Sequence, residues 1–189
     1  MAKKYLYKFL DAGLKSHYDG SKWKMGEWRK EKPPTQECKG LNASEYIQDT
    51  LGYVQGVILA KVECGGAIIK GDDKWTCERM RIVATAKWGK EESVRLASFC
   101  AELSLPNFEK IYPEDKRPRL AIEAAKKWLK TKKVSAAASA ARAADSAARA
   151  ARAADSAASA AASAAASAAR AADSAKIHHH ILSTVKWVK

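Results

Sequence analysis

Hydrophobic and polar positions along this chain change period near residue 90, and again where alanine takes over near residue 134. In the first stretch the period is close to two. Residues 4–10 alternate as a first strand, and Asp11-Ala12-Gly13 reads as the turn that ends it. Residues 23–30 interleave basic side chains with two tryptophans, the pattern of a half-buried edge strand with its lysines on the wet side. Ser44 is placed to cap a short helix running through Ile47 and Leu51 to Tyr53. Residues 57–63 are apolar enough for a central strand, and Gly65-Gly66 is expected to turn into residues 67–70. After the polar loop Gly71-Asp72-Asp73-Lys74, residues 78–86 return as a strand. Residues 1–90 are therefore expected to form a small, mainly antiparallel sheet with one helix.

Past Trp88 the period becomes helical. Val94, Leu96, Ala97, Phe99, Cys100 and Leu103 mark an amphipathic helix starting near Glu91, which Leu105-Pro106 should break or kink. A charged loop, residues 113–119, leads into a helix that can begin after Pro118 and carry on to Leu129. Residues 130–133 link it to the alanine tract. There the larger residues, from Ser135 through Arg142 and Arg152 to Ser174, follow one another at steps of three or four. With no Gly or Pro, and with alanine's high helix propensity, the tract reads as one rod of roughly 60 Å or as a folded-back pair. Ala136, Ala140, Ala143, Ala147, Ala150 and Ala154 make a small-residue face that lets another helix come close. That face suits a hairpin, a homo-oligomer or a groove for a foreign helix. Ile177, Ile181, Val185 and Val188 step by 4, 4 and 3, an aliphatic stripe to anchor the tract's end. The expected class is α+β. Its three parts are a small α+β domain over 1–90, a two-helix connector over 91–133 and an alanine-rich helical region over 134–189.

Charge and cysteines narrow the function classes. The formal net charge is +13, spread along the chain with no single basic stripe. Nonspecific attraction to nucleic acid at low salt follows, without a built nucleic-acid face. Trp23, Lys24, Trp28, Arg29, Arg79 and Arg81 are the candidate binding residues, since tryptophans among cations can stack bases and hold phosphates. Cys38, Cys64, Cys77 and Cys100 show no C-x-x-C pair, so reduced structural thiols are expected and no metal site. The consecutive His178, His179 and His180 would face three directions on a helix. No phosphate-binding G-x-x-x-x-G-K-[ST] loop occurs and no cofactor is implied. The charged residues between Arg142 and Asp155 argue against a membrane span. Met1-Ala-Lys-Lys leads into an aromatic segment rather than an apolar leader, so a cytoplasmic protein is expected.

Two resemblances add to this reading. The words YPEDKRPRLAIEAAKKWL, followed by an alanine-rich helical region, resemble the immunity proteins found with bacterial polymorphic toxins. In those proteins a helix precedes a P-D-D-x-R-P-R-like loop, an A-I-E-A-A helix and alanine-rich helices; the likeness covers residues 91–175. Residues 1–90 resemble an uncharacterised domain common in phage and prophage genomes. They share its W-x-x-G-x-W segment (Trp23, Gly26, Trp28) and most of a C-x-x-G-aromatic-H-A motif. Here that motif reads Cys38-Lys39-Gly40-Leu41-Asn42-Ala43, with Asn42 where the histidine usually stands. The resemblances imply a non-catalytic accessory protein of a phage or mobile element, immunity-like or anti-defence, that occupies a protein partner. One alternative is an enzyme: residues 1–90 also resemble an ADP-ribosyltransferase, with Ser44 as its serine and Glu63 as its carboxylate. The other is a nucleic-acid or nucleotide-binding module.

Overall fold

A computed structural model describes residues 4–54, 56–132 and 163–188. They fall into two compact units, one within Met1–Gly89 and His178–Lys189, the other within Lys90–Ile177. In the first unit β1 (Leu6–Leu10), β2 (Arg29–Lys30), β3 (Leu41–Ala43), β4 (Ile58–Lys70) and β5 (Trp75–Lys87) build one antiparallel sheet. Its order is β1-β4-β5-β2, with β3 also paired to β5. Among the described residues the only helix wholly inside this unit is the short α1 (Ile47–Leu51). Among the described residues the fold is thus the expected α+β, a sheet first and helices after.

The long β4–β5 hairpin is the frame. Its loop falls at the polar Gly71–Lys74 segment, where Gly71 N–H bonds the Lys74 carbonyl at 2.8 Å. Gly65-Gly66 is no turn: β4 runs straight through it, and the register shifts between Gly65 and Ile68. Gly66 sits at φ 74°, a conformation that glycine adopts without penalty, so the extra residues are taken up as a bulge. The Glu78 carboxylate fills the space where a Cβ would lie and accepts the Ala67 N–H at 2.8 Å.

That bulge also corrects the thiol expectation, because Cys64 and Cys77 are joined by a disulfide across β4 and β5. The regular register pairs Cys64 with Met80 and Cys77 with Ile68. Only the slip between those pairs brings the two sulfurs together. Cys38 and Cys100 are free.

Leu6, Leu10, Trp23, Leu41, Ala43, Ala60, Val62, Met80 and Ile82 form the core on one face of the sheet. On β1, Tyr7 and Phe9 alternate to the other face, where Tyr7 meets the rings of His178 and Trp187, and Phe9 meets Trp88. The expected edge strand over residues 23–30 shrinks to Arg29–Lys30. The segment before it folds over the sheet and buries Trp23 in the core. Ser44 is no helix cap either: its N–H and C=O bridge the backbone of Tyr7, each at 2.8 Å, and α1 begins after Tyr46.

The second unit contains α2 (Lys90–Ile111) and α3 (Arg117–Thr131), an antiparallel hairpin. Ion pairs Glu109–Arg119, Glu102–Lys126 and Glu91–Lys132 run along it in antiparallel order. Pro106 lies inside α2 instead of breaking it. Helix α3 starts with Pro118 in its first turn, where the missing N–H would have no partner in any case.

Helix α4 (Ser163–Thr184) closes the chain, its last turns from His178 belonging to the first unit. Ile181 and Val185 of the aliphatic stripe are buried, and Ile177 is half-buried. Val188 departs from the stripe. It lies beyond the helix, bridges Thr85 as a strand residue and is exposed. Ala136, Ala140, Ala143, Ala147, Ala150 and Ala154 lie outside the described residues.

Candidate functional site

The six candidate binding residues divide into separate clusters. Trp28 is clamped by two guanidinium groups, Arg79 at 5.1 Å and Arg81 at 4.8 Å from its ring centroid. Arg79 and Arg81 flank Met80 on β5, so by strand alternation they lie opposite the core face that holds Trp23. Lys24 pairs with Glu27 in solvent. Glu63, the carboxylate of the enzyme alternative, is buried and held by Arg81 at 2.8 Å.

Trp23 anchors the second cluster. Its ring is 3% exposed and carries the Lys8 ammonium at 4.4 Å and the Arg29 guanidinium at 5.0 Å. Arg29 is balanced by Asp19 at 3.3 Å and Glu31 at 3.4 Å, and it also donates to the Ser21 hydroxyl. The Ser21 hydroxyl and backbone N–H both donate to Asp19 and hold its carboxyl far below the usual range. Lys8 has no such support. Burial first, and then the Arg29 charge, lower its pKa to about 8, with Asp19 opposing.

A cavity of about 630 Å³ opens beside this cluster, lined among others by Lys8, Phe9, Trp23, Asn42 and Tyr53. Its floor is a knot of hydrogen bonds around the 38–42 loop. Thr76 Oγ1 accepts the Cys38 N–H at 2.9 Å and donates to Asn42 Oδ1 at 2.8 Å, while Asn42 Nδ2 reaches the Gly40 carbonyl at 3.1 Å. At Gly40, φ 151°, the Thr76 methyl leaves no room for a Cβ. Asn42 thus serves as a structural amide where the related motif has an imidazole. At the rim Lys74 lies 3.7 Å over the Tyr53 ring, and the Tyr53 hydroxyl donates to Asp73, which pushes its pKa up to about 12.

One contact of the folded chain has no signature in the sequence. The N–H of Ile47, at the start of α1, donates to His178 Nδ1 at 3.2 Å. Among the described residues no other side chain caps the start of that helix. The imidazole is wedged edge-on against Tyr7 and Tyr46, and its pKa is lowered, chiefly by burial. The residues reach each other across 131 positions of sequence.

In the helical unit the apolar surface is less well covered. Among its described residues only Ser98, Ala121 and Ile122 are buried. Around the tip, Ile111 is 60% exposed, Leu120 57% and Tyr112 40%. Beside them Arg119 grips Glu109 with two bonds of 2.8 and 2.7 Å, and Arg117 holds Asp115, whose pKa falls to about 2. The tip is an apolar patch framed by fixed charges. Among the described residues no group of side chains could hold a metal ion, and no helix is long and apolar enough to cross a membrane.

Comparison with known families bears on both units. Residues 4–93 match a domain of unknown function, DUF7666. Residues 85–185 match the Imm-5 like putative immunity protein family. The second match spans more than half the chain, and the chain belongs to that family. It takes in the helical hairpin and, through His178 and Ile181, the end of α4 that packs in the sheet unit. No curated protein and no solved structure matches the chain.

Proposed function

We propose that this chain is an immunity-like, non-catalytic protein that silences a protein partner by occupying it, with the tip of the α2–α3 hairpin as its contact surface. The family match over residues 85–185 carries the reading. The exposed Ile111, Tyr112 and Leu120 support the choice of surface, because a compact apolar centre with a charged rim is how specific protein interfaces are built. The likeness of residues 1–90 to a phage and prophage domain supports a mobile-element origin, with action in the host cytoplasm. Residues 134–175 would serve as a packing or oligomerisation element.

The test is protection. The full chain is expressed in bacteria together with each of a set of bacterial polymorphic toxins, and survival is scored. Survival is expected to rise with the wild type and to be lost when Ile111→Asp and Leu120→Asp are combined. Cell death in both cases, with no complex by size-exclusion chromatography, contradicts the proposal.

A further inference from the structure

The cavity beside Trp23 has features that packing alone does not require. Trp23 is nearly inaccessible, yet among the described residues no acceptor meets its indole N–H. Burying such a donor without a partner costs roughly 1–3 kcal/mol. Lys8, on the same ring, has no carboxylate at ion-pairing distance among the described residues, although its neighbour Arg29 has two. Lys8 and Trp23 both line the cavity.

The backbone adds a third gap. Tyr7 turns its N–H and C=O outward from the sheet to bridge Ser44, and Asp11 bridges Lys15. Phe9, two residues after Tyr7, directs its backbone groups to the same free edge of β1. Paired with Leu59 on its inner side, it lies between those bridges on the outer edge, where among the described residues no strand lies beside it, and it lines the cavity. A cation without a paired carboxylate, an unpartnered indole donor and an unpaired stretch of strand edge thus belong to residues that line one cavity. Tyr53 adds aromatic surface to the lining, and the volume is in the range of small-molecule sites.

We infer that this cavity binds a small organic anion, whose acid group sits against the Lys8 ammonium and the Trp23 N–H while its body runs along the Phe9 edge towards Tyr53. A carboxylate or phosphate accepts both donors at once, and such charge-assisted bonds are about twice as strong as neutral ones. The site is independent of the hairpin tip and of the protein-partner reading.

The experiment follows indole N–H resonances of the full chain, labelled with ¹⁵N-tryptophan, with Trp23→Phe identifying the signal. Inorganic phosphate, adenosine monophosphate and N-acetylglycine are added in turn. At least one organic probe should shift the Trp23 signal saturably, bind roughly tenfold or more tightly than inorganic phosphate, and show nuclear Overhauser contacts to Phe9 and Trp23. Lys8→Met should weaken that binding roughly ten- to hundredfold, while Lys127→Met, on the exposed surface of α3, leaves it unchanged. The Overhauser contacts locate the ligand in the wild type even if Lys8→Met fails to fold. Equal response to phosphate and to the organic acids, or no response to any probe, overturns the inference.

Discussion

The sheet unit and the helical hairpin solve the same folding problem in opposite ways. In the sheet unit, side chains from Leu6 to Ile82 are buried together, and the two strands of the central hairpin are further joined by a disulfide. In the hairpin, three described residues are buried and largely exposed ion pairs line the seam. Burial scales with apolar area removed from water, while exposed ion pairs contribute little. The sheet unit therefore carries its own stability, and the hairpin keeps apolar surface available. Such a division suits the proposed role, with a scaffold that stays folded and a face left for a partner to cover.

The largest expected contrast comes from cutting the same side chain in each region. Ile82→Ala should cost about 3–5 kcal/mol of unfolding free energy, since its neighbours cannot close over the void. Ile122→Ala, in a seam of half-exposed neighbours, should cost about 2 kcal/mol, the low end of the same scale. Urea denaturation of both variants checks this, and equal losses would erase the contrast.

Reducing the Cys64–Cys77 bond should lower stability by about 2–3 kcal/mol, as expected for a loop of this length. Thermal melts with and without dithiothreitol measure it. Hydrogen exchange should show the loss in β4 and β5, with α2 and α3 unchanged.

Acid should act on the sheet unit through His178. Its folded-state pKa lies below the unfolded value, so its contribution is complete above about pH 6.5 and is lost as pH falls through the folded value. Protonation removes the acceptor for the Ile47 N–H. The melting temperature should drop on acidification, and His178→Gln should flatten that dependence.

The smallest effect is expected at the hairpin surface. Arg119→Ala removes an exposed pair and should cost less than about 1 kcal/mol, shrinking further in high salt. A loss well above that would make the seam, not the sheet, the better-bound region.

Much of this contrast is legible in the sequence, because it lives in local periodicity. The alternation of residues 4–10 gives β1, the polar Gly71–Lys74 loop gives the β4–β5 turn, and Pro118 marks the start of α3. What escapes depends on neighbours distant in sequence. Gly65-Gly66 carries the dipeptide of a turn, but strand pairing on both sides stretches it into a bulge, and the disulfide follows from that slip. Pro106 carries a helix breaker, yet Glu102–Lys126 and Glu109–Arg119 hold α2 to α3 on either side of it. Trp23 reads as an edge residue because its burial depends on a loop folding back over the sheet. Of the candidate site, the tryptophans and cations are visible as residue types. Their partition between two faces is not, since it depends on which strand each segment joins. His178 is the extreme case: an imidazole in an alanine-rich region completes a helix terminus that begins 131 residues earlier.

The most direct test of the division of labour is hydrogen exchange on the full chain, free and mixed with a toxin whose killing it prevents in the protection assay. Exchange should slow at the α2–α3 tip around Ile111 to Leu120, with β1, β4 and β5 unchanged. Slowing confined to the sheet, with the tip exchanging as in the free chain, would contradict the account.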